Sequence, residues 1–243
     1  MKSIVLGHPG AFGDIIICAP IAEAYFDMGY KVYWPVGVEH LSLVERFSYV
    51  NPIPLPPIKL IQYDNENESI YSSRVLMGQG IAKQMGVEYL NLGDRFVTPD
   101  NPYSTPLLDG ETIEEKKYRV AGIDFGKKYK LKWTRDKGRE DALFELVVKD
   151  EPYVFAHLNQ SDGSAASVPF ETTQTIVEGM PVENYNILDW YKVIINAQSV
   201  YCIESSFHPF VDGVKDQVQK KYLLTTKDGV ITTVSEGWDR KYI

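Results

Sequence analysis

The sequence predicts an α/β chain made of two halves, each with parallel strands, divided near Asp150. Three observations carry this. Residues 3–7 form an apolar run, residues 15–25 carry apolar side chains at helical spacing, and residues 31–35 form a second run. Strand, glycine-containing loop, helix and strand within ~35 residues make a βαβ unit with parallel strands. The same order returns after Asp150, and 243 residues with 44% hydrophobic and 24% charged side chains suit two domains of moderate size. The expected domains are 1–150 and 151–243.

In the first half the strand at 3–7 is apolar on both faces, as a central parallel strand must be. The helix after it places Ile15, Ile16, Ala19, Ile21, Ala22 and Tyr25 on its buried side and stops at Gly29. Residues 40–49 and 70–85 have helical patterns, 51–57 is proline-dense, and 97–110 reads as a surface connection. Helices are expected over 111–123 and 139–148.

In the second half, strands are expected at 153–158, 175–177 and 199–203. A helix begins near Ile187 and another near Phe207. Residues 222–226 and 230–234, joined through Lys227-Asp228-Gly229, read as a terminal hairpin with a tight primed turn.

Composition narrows the function. The net charge is −8, which argues against a general nucleic-acid binder. Against that background, residues 127–139 hold five Lys and two Arg to one Asp. Such a run reads as a solvated linker or as a local basic surface. Cys18 and Cys202, the only cysteines, sit in apolar runs and read as core thiols of a reducing compartment. No apolar stretch is long enough to span a bilayer, and the expected location is cytoplasmic. A phosphate loop of the GxxxxGK[ST] type, a GxSxG elbow, an HExxH helix, a CxxC pair and a DxD element are all missing, so no metal site is expected.

Two turns hold the chemistry. In His8-Pro9-Gly10-Ala11-Phe12-Gly13-Asp14, Gly10 and Gly13 permit close backbone approach to a ligand at the carboxyl end of the first strand. Asp14 stands where an N-cap belongs and reads either as that cap or as a general base. In Ile203-Glu204-Ser205-Ser206-Phe207-His208, the hydroxyls and the following helix start read as helix caps or as a phosphate pocket. His208 there is either a packed side chain or a donor to phosphate. The polar loop from Asn159 to Ser164 is a third, weaker candidate.

These residues resemble a family. Gly13-Asp14-Ile15-Ile16 with Ala19-Pro20-Ile21 is similar to the N-terminal signature of heptosyltransferase-like glycosyltransferases. The stretch from Ile187-Leu188-Asp189-Trp190 through Ile194-Ile195-Asn196-Ala197 to Glu204-Ser205-Ser206-Phe207-His208 resembles the donor segment of the same family. Glu204 stands where that family usually has Asp, and Ser206 where it has glycine. The resemblance implies two Rossmann-like halves facing across a cleft (GT-B-like), an acceptor-side N-terminal domain and a nucleotide-sugar-binding C-terminal one. It implies Asp14 as the base that deprotonates an acceptor hydroxyl of a glycan or similar molecule. Gly10, Gly13, His157, Asn159, Gly179, Met180, Ser205, Ser206 and His208 become donor-binding residues, with Gly179 and Met180 near the base. The donor is a co-substrate, and neither cofactor nor metal is implied. Two other readings stand beside it: a non-catalytic nucleotide- or glycan-binding module, and a glycosyltransferase acting on modified nucleic acid through the basic run.

Overall fold

The computed structural model describes residues 1–7, 11–56, 66–93, 107–159, 172–225 and 237–242. The chain divides into two bodies, Met1–Lys128 with Lys132–Thr134, and Tyr129–Leu131 with Arg135–Ile243.

The first body follows β1 (Lys2–Gly7), α1 (Phe12–Asp27), β2 (Tyr30–Gly37), α2 (Leu41–Val44), β3 (Val50–Leu55), α3 (Glu66–Met85), β4 (Glu88–Asn91) and α4 (Ile113–Ala121). Its sheet has the order β3-β2-β1-β4, every pair parallel. Ile4, Val5 and Leu6 of β1 are buried, as the unbroken apolar run requires. In α1 the residues from Ile15 to Ala22 are all buried, so this helix is covered all round and not only on the sheet side. The outer cover is α4, whose Tyr118 hydroxyl donates to the Ile17 carbonyl at 2.9 Å. Tyr25 in turn donates to Ala121 at 3.0 Å.

Two strands here were not expected. β3 contains Pro52 and Pro54, which lie two apart and therefore turn their missing amides to the same, open edge of the sheet. β4 is four residues long and alternates in burial, too short to stand out. The helical pattern at 40–49 reduces to a 3-10 turn, Val38–His40, and the single turn of α2. The surface connection expected at 97–110 lies mostly outside the described residues.

The second body follows α5 (Lys137–Val147), β5 (Tyr153–His157), β6 (Thr175–Glu178), α6 (Tyr191–Asn196), β7 (Val200–Cys202), α7 (Phe207–Gly213), β8 (Lys221–Thr225) and β9 (Asp239–Tyr242). Its sheet has the order β6-β5-β7-β8-β9, again all parallel. The expected boundary at Asp150 is corrected, because α5 belongs to this body. Arg139 binds the Asp189 carboxylate at 2.8 Å, Lys192 binds Asp141 at 2.8 Å, and the Phe144 ring packs on Tyr153. The terminal hairpin is corrected as well. β8 is paired on one side with β7 and on the other with β9, both parallel, which leaves it no antiparallel partner; the Asp-Gly turn and residues 230–234 lie outside the described residues.

Gly7 shows how tightly the first sheet is closed. A Cβ there would collide with the hydroxyl end of Tyr89, whose hydroxyl donates to the Val75 carbonyl of α3 at 2.8 Å. A Cβ added to Gly78 of α3 would lie 3.7 Å from the Cα of the same glycine. Gly7→Ala is expected to cost about 1–3 kcal/mol by overpacking. Chemical denaturation checks this, and combining it with Tyr89→Leu should cost less than the sum of the two changes.

Candidate functional site

In an open parallel sheet, connections that leave adjacent strands in opposite directions open a crevice beyond their carboxyl ends. The first sheet has this switch between β1 and β4, because β1 continues through α1 to β2 while β4 lies on its other flank. Asp14 is there, in the first turn of α1. It is not the N-cap. That position is Ala11, whose side chain makes no capping bond, and Asp14 is the third helical residue. A carboxylate in a first turn complements the helix dipole. Gly13 precedes it in α-helical geometry and is not among the glycines with positive φ. Gly10 lies outside the described residues.

Asp14 has a partner that the sequence did not disclose. The Lys117 Nζ is 3.5 Å from Asp14 Oδ1 and donates to the Leu92 carbonyl at 2.7 Å. Lys117 comes from α4, a helix with Glu114, Lys117 and Tyr118 all buried at the i, i+3, i+4 spacing of one face. A capping box of Thr112 and Glu115 starts this helix, and Gly122 ends it in the left-handed region. By pattern it is an ordinary charged helix. Only its position over α1 makes its polar face internal.

The second sheet reverses between β5 and β7. His157 ends β5, and its Nδ1 lies 2.5 Å from the Gly179 carbonyl. A carbonyl only accepts, so Nδ1 carries the proton and, in the neutral ring, Nε2 holds the lone pair. Burial holds this imidazole below the ordinary histidine range, partly offset by the Gly179 bond. The ring also packs on Phe207, centroids 4.6 Å apart. Gly179 is needed as glycine, because a Cβ would come 2.9 Å from Phe155 Cε2 and 3.3 Å from His157 Cβ. Met180 beside it is exposed, and Asn159 reaches Glu178 Oε1 only at 3.5 Å. The rest of the loop after Asn159 lies outside the described residues.

At the end of β7, the Ser205 Oγ is buried and has no hydrogen-bond partner among the described residues. A hydroxyl in that state costs free energy unless something binds it. Ser206 has helical backbone angles and makes no side-chain cap, so neither serine acts as the helix cap that was one reading. His208 is corrected: its side chain is fully buried, 3.8 Å from Asp212 Oδ2, with its ring on Trp238. Trp238 Nε1 donates to Asp212 Oδ1 at 2.6 Å. This buried cluster joins Trp238 to α7. Cys18 and Cys202 are both buried, and burial pushes the Cys202 thiol up.

Much of the charge of the basic run is paired. Lys128 pairs with Glu114, Lys132 with Glu23, Arg135 with Glu140 and Arg139 with Asp189. Four of its seven cations are thereby matched to carboxylates. Among the described residues no group of His, Cys, Asp and Glu is arranged to hold a metal, and no helix is long and apolar enough to cross a membrane.

No protein-family model and no curated protein matches the chain. Solved structures do. The ADP-heptose lipopolysaccharide heptosyltransferase II of E. coli is similar at TM-score 0.58 and 11% identity, over 99% of this chain and 90% of that one. A glycosyl transferase family 9 structure from Veillonella parvula gives TM-score 0.57 and 12% identity, over 100% and 86%. The E. coli heptosyltransferase WaaC with ADP-2-deoxy-2-fluoro heptose gives 0.51 and 10%, over 99% and 93%. The shared property is the fold, a heptosyltransferase-like GT-B arrangement of two Rossmann-like halves.

The His157 geometry predicts a pH effect. Its folded value lies below the unfolded one, so the unfolded chain takes up the proton first as pH falls. The stability it contributes is intact above about pH 6.5 and is lost below it. Thermal unfolding between pH 7.5 and 5.5 should show a smaller loss of stability in His157→Gln than in the unsubstituted protein.

Proposed function

We propose that the chain is a glycosyltransferase that moves a sugar from a nucleotide-sugar to an acceptor hydroxyl, without a bound metal ion. The observation that carries this reading is the placement of each candidate at a switch point: Asp14 in the first sheet, and the turn 204–206 with the buried Ser205 hydroxyl in the second. The fold supports it, because the similar structures are heptosyltransferases and a family 9 glycosyl transferase. One of them holds an ADP-linked fluoro-heptose, which supports a sugar nucleoside diphosphate as donor class.

In this reading Asp14 accepts the proton of the acceptor hydroxyl as that oxygen attacks the anomeric carbon. The bond from the anomeric carbon to the diphosphate oxygen breaks, and its electron pair leaves on the nucleoside diphosphate. A single displacement of this kind inverts the anomeric centre. Ser205 and Ser206 donate to the diphosphate and stabilise the charge that builds there. His157, with a neutral Nε2 acceptor, suits a hydroxyl or N–H of the nucleoside better than a phosphate, and Gly179 and Met180 border the same edge. His208 holds the turn from behind. The basic run is left out, since so much of its charge is already paired.

The pairing of Asp14 with Lys117 favours a second reading, in which Asp14 serves as a counter-ion in a binding module without chemistry. Turnover with a panel of nucleotide-sugars separates the two. The enzyme reading expects sugar transfer that falls about 100-fold or more in Asp14→Asn with nucleoside diphosphate binding retained. It expects Ser205→Ala to weaken nucleoside diphosphate binding by about tenfold. Nucleoside diphosphate binding with no transfer from any donor would establish the binding module, and full transfer by Asp14→Asn would remove Asp14 from the reaction.

A further inference from the structure

Lys117 is a buried charge to which the reaction above assigns no part. Its side chain is 1% exposed, while that of Asp14 is 27% exposed. An ammonium withdrawn from water is unfavourable unless it is hydrogen-bonded and paired. Here a carbonyl from the end of β4 and a carboxylate from the start of α1 both meet it, at 2.7 and 3.5 Å. The carbonyl is itself fixed, because the Leu92 amide donates to Gly7 at 2.7 Å and so extends the β1–β4 ladder. The helix that carries Lys117 is anchored a residue away by the Tyr118 bond to Ile17, one turn along α1 from Asp14. Lys117 therefore reaches Asp14 from a rigid mount, while Asp14 keeps its access to solvent.

We propose that Lys117 is a positioning residue for Asp14: held by the Leu92 carbonyl, its ammonium orients the carboxylate at the first sheet's switch point and keeps it ionised. The proposal rests on the reading of Asp14 as the base. A neighbouring cation makes a carboxylate a weaker base. Lys117 thus contributes orientation and charge state, and the proton moves to Asp14 only as the acceptor oxygen bonds to the anomeric carbon and becomes acidic.

Carbon-13 NMR titration of the Asp14 carboxyl, identified by the signal missing from Asp14→Asn, tests the pairing without any substrate. In Lys117→Met that carboxyl takes up its proton at a pH higher by about one or more, and Lys117→Arg restores the original midpoint. Because Lys117→Met also deprives the Leu92 carbonyl of its donor, the reciprocal titration uses Asp14→Asn. There the Lys117 ammonium, followed by nitrogen-15 NMR, loses its proton at correspondingly lower pH, as linkage requires. Midpoints that stay in place in these variants overturn the proposal. Turnover is a separate arm, in which Lys117→Met lowers kcat about tenfold or more with the donor KM unchanged. Unchanged kcat in a protein whose Asp14 midpoint has moved also overturns the positioning role. Full activity in Asp14→Asn overturns only the reading of Asp14 as base and leaves the measured pairing standing.

Discussion

Parallel strands place all their carboxyl ends on one edge of a sheet, and a gap opens on that edge only where the winding reverses. That constraint governs both bodies of this protein. In the first, β1 and β4 send their connections apart, and the gap receives the start of α1 with Asp14. In the second, β5 and β7 do the same, and the gap receives His157 and the turn 204–206. The chemistry-bearing residues thus sit at or beyond the ends of strands that the ladders hold in place. The glycines follow from the same packing: Gly7 lies under the Tyr89 ring and Gly179 under Phe155, each at a carboxyl end where a side chain would push the neighbouring element away.

The second theme is charge buried on purpose beside these gaps. α4 covers α1 with Glu114, Lys117 and Tyr118, and each has a named partner: Lys128, Asp14 with the Leu92 carbonyl, and the Ile17 carbonyl. Replacing such groups by apolar ones of equal size often leaves stability unchanged or raises it, so their presence is weak evidence of a stabilising role. What they do provide is direction. A lysine with a hydrogen bond at 2.7 Å and a carboxylate at 3.5 Å has one geometry, whereas leucine packing tolerates several. In the second body Asp189 plays a comparable part, capping its own 3-10 turn through Asn186 while receiving Arg139 of α5.

The sequence was readable where burial alone dictates the pattern. β1, α1, β5 and β7 are apolar runs or stripes bounded by turn residues, and they appear at the expected places. β3 was hidden by Pro52 and Pro54, which only an edge position tolerates. β4 was hidden by its four-residue length. Local turn chemistry, as at Asp228-Gly229, says nothing about which strands take the edges of β8, and both are taken by parallel neighbours. Among the candidate residues, Asp14 and the two serines stood out in the sequence because each lies in the connection that follows an apolar strand. Their surroundings were not found. Lys117 is distant in sequence, His208 is buried, and four cations of the basic run pair with carboxylates that the local sequence does not single out. Sequence spacing reports which residues share a face, but not what that face will meet.

The central claim is that the turn after β7 receives a diphosphate. The most direct measurement is a crystal structure of the full chain with a nucleoside diphosphate bound. The account predicts a phosphate oxygen within about 3 Å of the Ser205 Oγ, with the nucleoside lying along the His157 and Gly179 edge. A diphosphate seated against the first sheet instead, or a Ser205 hydroxyl still without a partner in that complex, would contradict it.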